Sequence, residues 1–359
     1  MKRLLVTGAA GFIGANFVHY WHRTHRSDFV LAFDALTYAG NRNSIRELEA
    51  DDAAFCFVQG DIRDTDQVTA LLREHAIDTV VHFAAESHVD RSITGPDAFI
   101  ETNIIGTHSL LKAAHAVWLA PGDEREHRFH HVSTDEVYGS LEPDAPAFHE
   151  EQKYEPNSPY SASKAASDHL VRAYLHTYGL QVTTSNCSNN YGPYHFPEKL
   201  IPLCILNMLA GKPLPIYGDG MNIRDWLYVE DHCRGIEKVL EQGRIGENYN
   251  IGGNNEWPNI DIVNLLCDLM DEQFVLNPEL TQRFPDAPAA RGQATRSLIT
   301  YVTDRAGHDR RYAIDASKIM NELGYQPQES FETGIRKTLN WFLANEHWWR
   351  AIQDGSYRD

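Results

Sequence analysis

Three glycines spaced Gly8-x-x-Gly11-x-x-Gly14 stand between a short apolar run, residues 3–7, and an amphipathic stretch of helical period. That order of strand, glycine turn and helix constrains the fold more than any other feature of the chain. Gly8, Gly11 and Gly14 permit a tight turn and let the backbone approach a pyrophosphate, which then lies at the positive end of a helix. A second apolar run ends on Asp34, twenty residues past Gly14. A carboxylate there accepts hydrogen bonds from a ribose 2′-hydroxyl and repels a 2′-phosphate, so NAD is expected as cofactor rather than NADP.

Residues 3–7, 29–33, 55–58, 79–83, 129–132 and 182–186 read as strands, with helical patterns between most of them. Strands this apolar need cover on both faces, which predicts an α/β fold with a doubly wound, Rossmann-like parallel sheet. Residues 97–117 and 159–178 are the longest helical candidates, and a homodimer formed through them is expected. After Asn186 the texture changes to short segments broken by glycine and proline. A smaller, mixed α/β substrate domain is expected from residues 187–224 and 252–359. The cofactor domain, residues 1–186, regains 225–251 if the runs 226–229 and 248–251 rejoin the first sheet. Asp315 reads as the cap of a helix over 316–323, and Ile335, Leu339 and Phe342 form a helical stripe.

A net charge of -18 without a basic stripe argues against nucleic acid as partner. Five scattered cysteines show neither a disulfide framework nor metal-type spacing. The start after Met1 lacks a cleavable signal pattern and no apolar run is long enough to span a bilayer, so a cytoplasmic protein without membrane attachment is expected. Arg305, His308, Arg310 and Arg311 concentrate cations that can meet an anionic small molecule or form a solvated loop.

Tyr160 and Lys164 are the chain's only Tyr-x-x-x-Lys pair, one helical turn apart. A phenol poised to take a hydroxyl proton near neutrality needs about 4 kcal/mol of stabilisation of its anion, which the Lys164 ammonium and a positive nicotinamide can share. Thr134, at the end of the fifth strand, is placed to hold the same substrate oxygen. Next to it stand Asp135 and Glu136. A dehydrogenase needs one base, so a second acid/base pair implies a second step, and elimination of water is the expected one. In a sugar oxidised at C4, Glu136 would remove the C5 proton and Asp135 would protonate the leaving C6 hydroxyl. Consecutive strand residues point to opposite faces, so this assignment requires the chain to leave the strand by about Thr134.

The glycine spacing resembles the short-chain dehydrogenase/reductase superfamily. In that superfamily an acidic residue after the third strand, matched by Asp61, meets the adenine, and Ala84 and Ala85 line the cofactor. Nearly the whole chain resembles the dTDP-glucose 4,6-dehydratase family. The resemblance is carried by 82–92, the run from Ser133 to Gly139, Tyr160-Ser161-Ala162-Ser163-Lys164, Ser188-Asn189-Asn190-Tyr191-Gly192-Pro193, Arg224-Asp225-Trp226 and 304–312. It implies a hydro-lyase with tightly bound NAD, in which the hydride taken from C4 returns to C6. It extends the cofactor site to Phe12, Ile13, Ala35, Leu36, Thr37 and Ile62, and further to Phe83, Ser87, Thr102 and Asn190. Around the nucleotide sugar it places Ser87, Thr134, Asn189, Lys199, Leu200 and the run Pro215, Ile216 and Tyr217. Arg224, Asn259, Asp304, Arg305 and His308 complete that set. Lys199, Arg224 and His308 can meet a diphosphate, and Tyr217 offers an aromatic face to a base. The stretch 271–297 departs from the family pattern and reads as an added surface loop. An epimerase or decarboxylase would share the glycines, Tyr160 and Lys164, and Asp135-Glu136 discriminates against both. A nucleotide-binding regulator would not need an intact Thr134, Tyr160 and Lys164.

Overall fold

The computed structural model describes residues 1–50, 53–122, 125–304 and 308–358. The first half alternates as its apolar runs predict: β1 (Arg3–Thr7), α1 (Phe12–Thr24), β2 (Phe29–Asp34), β3 (Phe55–Gln59), α2 (Thr65–Glu74) and β4 (Thr79–His82). Then come α3 (Val89–Thr94), α4 (Asp97–Phe99), α5 (Thr107–Trp118), β5 (Arg128–Thr134), α6 (Pro159–Tyr178) and β6 (Val182–Cys187). The second half holds β7 (Asn189–Tyr191), α7 (Leu200–Leu209), β8 (Leu214–Tyr217), β9 (Ile223–Tyr228), α8 (Val229–Gln242) and β10 (Asn248–Ile251). It ends with β11 (Glu256–Pro258), α9 (Asn259–Leu276), α10 (Leu280–Arg283), β12 (Ile299–Val302), β13 (Arg311–Tyr312), α11 (Ser317–Leu323), α12 (Phe331–Ala344) and α13 (Glu346–Asp354).

Seven strands form one parallel sheet in the order β10-β6-β5-β4-β1-β2-β3, a Rossmann-like arrangement whose order reverses between β1 and β4. Every residue of β2 is buried, as a strand covered on both faces requires. One apolar layer places Phe17, Trp21 and Ile236 against the sheet, and the opposite layer uses Leu72, Leu111 and Val171. A switch in strand order opens a crevice at the carboxyl ends of the strands, and the candidate site occupies it.

Residues 226–229 were expected in this sheet. Instead β9 pairs with β11, β13 and β7 in a second sheet, while β10 does join the first beside β6. Antiparallel pairing with β11 and the packing of Trp226 among Tyr191 and Phe331 outweigh the apolar pattern that suits either sheet. The helix expected over 97–117 is divided, because Ile100–Gly106 is a π-helical segment between α4 and α5. Within that bulge the Asn103 side chain is buried. It donates to Glu86 O and Ser163 Oγ and accepts from Glu86 N, so it ties the β4 exit to α6. Nor is 271–297 a surface loop: its first residues extend α9, and Leu280, Phe284 and Ala287 are buried in the core of the second lobe. Thr295 anchors the return by donating its Oγ1 hydrogen to Asp271. Near the C-terminus α11 begins at Ser317, one residue later than expected, with Ala316 and not Asp315 at its N-cap; Asp315 still accepts from Ser317 N at 2.8 Å, and Gly324 ends the helix at φ +66° as expected.

No helix among the described residues is long and apolar enough to cross a membrane. None of the five cysteines, all of them among the described residues, forms a disulfide.

Candidate active site

The glycine turn after β1 works through close packing. A Cβ on Gly8, whose φ is +68°, would meet Ala84 N at 2.7 Å, so the turn and the β4 exit touch through backbone. Asp34 closes the other side: its Oδ2 accepts from Ala10 N at 2.9 Å and its Oδ1 from Leu36 N at 2.8 Å. Burial raises its pKa, and the two amides oppose that rise.

From this turn a cleft of about 550 Å³ runs over the strand ends toward the second lobe. Its cofactor end is lined by Gly8, Gly11, Phe12, Ile13, Gly14 and Asp34, then by Ala35, Thr37, Asp61 and Ile62. Phe83, Ala84, Ala85, Ser87 and Thr102 carry the lining on to Thr134, Glu136, Tyr160, Lys164 and Asn190. The second lobe adds Asn189, Lys199, Leu200, Pro215, Ile216, Tyr217, Arg224, Asn259 and His308. Three expected residues are not on the lining. Leu36 turns into the first core from a left-handed backbone (φ 51°). Asp304 stands behind the wall and holds His308, with 2.6 Å between its Oδ1 and the ring Nδ1. Asp135 is buried beside Thr134. Arg305 lies outside the described residues.

The catalytic candidates converge where β5 ends. Thr134 is the last residue of the strand, and its Oγ1 accepts from Glu136 N as the chain turns into a 3₁₀ helix over Asp135–Tyr138. The chain therefore leaves the strand where the carboxylate assignment needs it to. Glu136 takes its place on the cleft wall, while Asp135 goes inward, its Oδ1 accepting from Thr134 Oγ1 at 3.3 Å. Asp135 Oδ2 is buried with no hydrogen-bond partner. Burial, then the Glu136 and Asp225 charges, push the Asp135 pKa well above the usual carboxylate range.

Helix α6 starts with Ser158 as cap and Pro159 at its first position, which fixes the register of the next turn. Tyr160 is thereby buried close to Thr134. Burial and then the Glu136 charge raise its pKa, so in the ligand-free protein the phenol holds its proton more tightly than a free tyrosine does. Lys164, one turn on, donates from Nζ to Val132 O at 2.8 Å. Burial lowers its pKa and Asp168 works against that shift.

Donors in the second lobe are held in place before any ligand arrives. Arg224 Nη2 donates to Asp309 O at 2.8 Å, Nη1 donates to Ile223 O at 2.7 Å, and the guanidinium lies 4.3 Å from the Tyr312 ring centroid. Lys199 Nζ reaches Ser87 O at 3.2 Å. Tyr217 meets His308 edge to face, with centroids 6.1 Å apart.

The cleft fits a dinucleotide and a polar second ligand. Asn189 Oδ1, Asn259 Oδ1 and His195 Nδ1 are buried on its wall without a protein partner, and such atoms call for a polar occupant. His195, Glu198 and Tyr38 also line the cleft and were not expected. His195 stacks on Phe12 with centroids 4.2 Å apart, and the aromatic run Tyr194-His195-Phe196 after Gly192-Pro193 is the signal that could have found it.

Residues 5–338 match the profile of the family described as GDP-mannose 4,6 dehydratase. A dTDP-glucose 4,6-dehydratase of Xanthomonas campestris pv. campestris is 56% identical over 360 residues, covering 100% of this chain and 98% of that protein. One of Escherichia coli is 54% identical over 366 residues, covering 99% and 97%. The crystal structure of DesIV, a dTDP-glucose 4,6-dehydratase from Streptomyces venezuelae with NAD and TYD bound, is similar with a TM-score of 0.86. It is 46% identical and covers 98% of this chain and 100% of its own.

Proposed function

The chain belongs to the dTDP-glucose 4,6-dehydratase family, and from that membership we propose that it converts dTDP-glucose into dTDP-4-keto-6-deoxyglucose and water. NAD, held by the glycine turn and Asp34, supplies the acceptor for the C4 hydride and its return to C6, so none is consumed.

Thr134 and Tyr160 share one substrate oxygen, the C4 hydroxyl, and Tyr160 accepts its proton as the ketone forms. Lys164 carries the positive charge on the same helix face that favours the phenolate. The ketone acidifies C5, and Glu136, on the cleft wall, takes that proton. Asp135 protonates the departing C6 hydroxyl; its burial favours the protonated form this role requires. Asn189, Lys199, Arg224 and His308 receive the diphosphate, and Tyr217 with Pro215 and Ile216 faces the base. Residues 1–186, extended by α8 and β10, serve the cofactor, and residues 187–228 with 252–359 serve the nucleotide sugar.

One observation carries this reading over an epimerase. Adjacent carboxylates leave the end of β5 for different surroundings, one buried and one on the wall beside Thr134 and Tyr160. An epimerase needs only the Tyr160 and Lys164 half. Free buried thiols fit a reducing cytoplasm. A homodimer through the helices near 97–117 and 159–178 is supported by Ile100, Ile105 and Tyr178, large apolar side chains left exposed there.

Incubation with dTDP-glucose tests the proposal, with a 4-keto-6-deoxy sugar as the expected product and no stoichiometric NADH. In Asp135→Asn with Glu136→Gln, water loss should slow about 10²–10⁴-fold while C4 oxidation persists. Unchanged sugar from NAD-replete protein would overturn the assignment. Equal loss of both steps would overturn the division of roles.

A further inference from the structure

Tyr160, Lys164 and Asp168 recur every four residues and so share one face of α6. Only the first two have a place in the chemistry above. Asp168 is nonetheless buried and heavily engaged: its Oδ2 accepts from Ser133 Oγ at 2.8 Å, and its Oδ1 lies 3.0 Å from His131 Nε2. Tyr154, from the segment leading into α6, lies close to it as well. A carboxylate in such a place is costly unless a cation answers it, and the same holds for the Lys164 ammonium.

Charged and titratable neighbours come from every side. Lys164 and His169 lie on its own helix, His131 on β5, Tyr138 on the turn after β5, and Tyr154 before α6. Burial pushes the pKa of His131 well below the usual imidazole range, and likewise that of His82, the two ring centroids lying 5.2 Å apart. The phenols carry no positive charge. Lys164 is therefore the buried cation that answers Asp168, and Asp168 is the carboxylate that opposes the loss of the Lys164 proton.

We propose that Asp168 is the positioning residue that keeps Lys164 charged and seated at Val132 O, so that the Tyr160 anion retains its cationic neighbour. This role rests on the dehydratase reading, in which Tyr160 is the base. Ser133 supports it from the strand, since its hydroxyl donates to Asp168 Oδ2 and fixes the carboxylate. Asp168 touches no reacting atom and takes no proton from substrate.

The test is the pH profile of single-turnover C4 oxidation in NAD-replete enzyme. Asp168→Asn keeps the side-chain shape and removes its charge. Its descending alkaline limb, where Lys164 loses its proton, should move at least ~1 pH unit lower, a tenfold change in proton affinity. Asp168→Glu should restore most of the wild-type profile, and Ser133→Ala should move the limb the same way by less. A limb at the wild-type position in Asp168→Asn, with the rate intact or uniformly reduced, overturns the role. If Asp168→Asn yields no folded holoenzyme, unshifted limbs in both Asp168→Glu and Ser133→Ala overturn it. Wild-type protein inert toward dTDP-glucose would overturn the underlying reading and this role with it. Active wild type with unshifted variants overturns the role alone.

Discussion

Gly14→Ala isolates what the glycine turn contributes. Gly14 lies within α1 and has an ordinary helical backbone, so alanine there suffers no dihedral strain. Space is the whole difficulty. A Cβ at this position would stand 2.1 Å from Gly8 O, 2.8 Å from Gly8 C and 3.0 Å from Ala9 Cα. An ordinary contact needs roughly 3.5 Å, so α1 and the turn must part by more than about 1 Å. All three obstructing atoms are backbone and no side chain can swing away. Overpacking of this kind costs about 3 kcal/mol, or a lowering of Tm by about 4 °C in a chain this long. The same shift drags the first-turn amides away from the anion they would hold. One such charge-assisted hydrogen bond is worth about 1.5–3 kcal/mol, so NAD affinity should fall roughly 10–100-fold. Gly324→Ala supplies the control: that glycine ends α11 at φ +66° with nothing within 4 Å of an added Cβ. It should cost about 1 kcal/mol from backbone conformation alone and leave NAD in place. Scanning calorimetry and bound-NAD stoichiometry after gel filtration read both effects. Gly14→Ala protein with full NAD occupancy and a Tm within about 1 °C of wild type would refute the packing argument.

Two further outcomes follow from burial. The folded-state pKa of Asp135 is raised above its unfolded value, so its contribution to stability is fully present below the unfolded pKa and is lost as pH rises through the folded one. Asp135→Asn should therefore raise the Tm of the NAD-free protein more at pH 8 than at pH 5, and an equal change at both would show that burial does not perturb this acid. His195→Ala removes the ring stacked on Phe12 at 4.2 Å. Such a pair is worth about 0.5–1.5 kcal/mol, so bound NAD should leave roughly 2–10 times faster in a chase with labelled NAD, and an unaltered release rate would exclude His195 from cofactor retention.

What could be read in the amino-acid sequence divides by the range of the interactions involved. The parallel sheet was legible because its strands are apolar on both faces, a property each run declares by itself. Tyr160 and Lys164 were legible because a spacing of four is a helix face whatever the helix packs on. By contrast, the 226–229 run could suit either sheet, and only pairing with β11 and β13 decided between them. Leu280, Phe284 and Ala287 are spaced four and three apart, as on a helix face, but Pro278, Pro285 and Pro288 interrupt the stretch so that it reads as a loop, yet all three fill one core. The bulge at Ile100–Gly106 has no local signature either, since it exists to bring Asn103 to Glu86 and Ser163 across the fold.

Asp135 and Glu136 mark where the two ranges meet. Their adjacency is a fact of sequence, and two neighbouring carboxylates of similar intrinsic acidity do not by themselves make an acid and a base. The distinction arises because β5 ends at Thr134 and the next turn sends one side chain inward and the other onto the cleft wall. Burial then raises Asp135, and the Glu136 charge raises it further. The same pairing bears on Tyr160, whose proton Glu136 also retains. Neutralising Glu136 should therefore ease oxidation at C4 while it removes the base for the next step. A carboxylate that hinders one half of a reaction and performs the other is tolerable only if both halves run on one bound sugar, which is the economy that a returning hydride makes available.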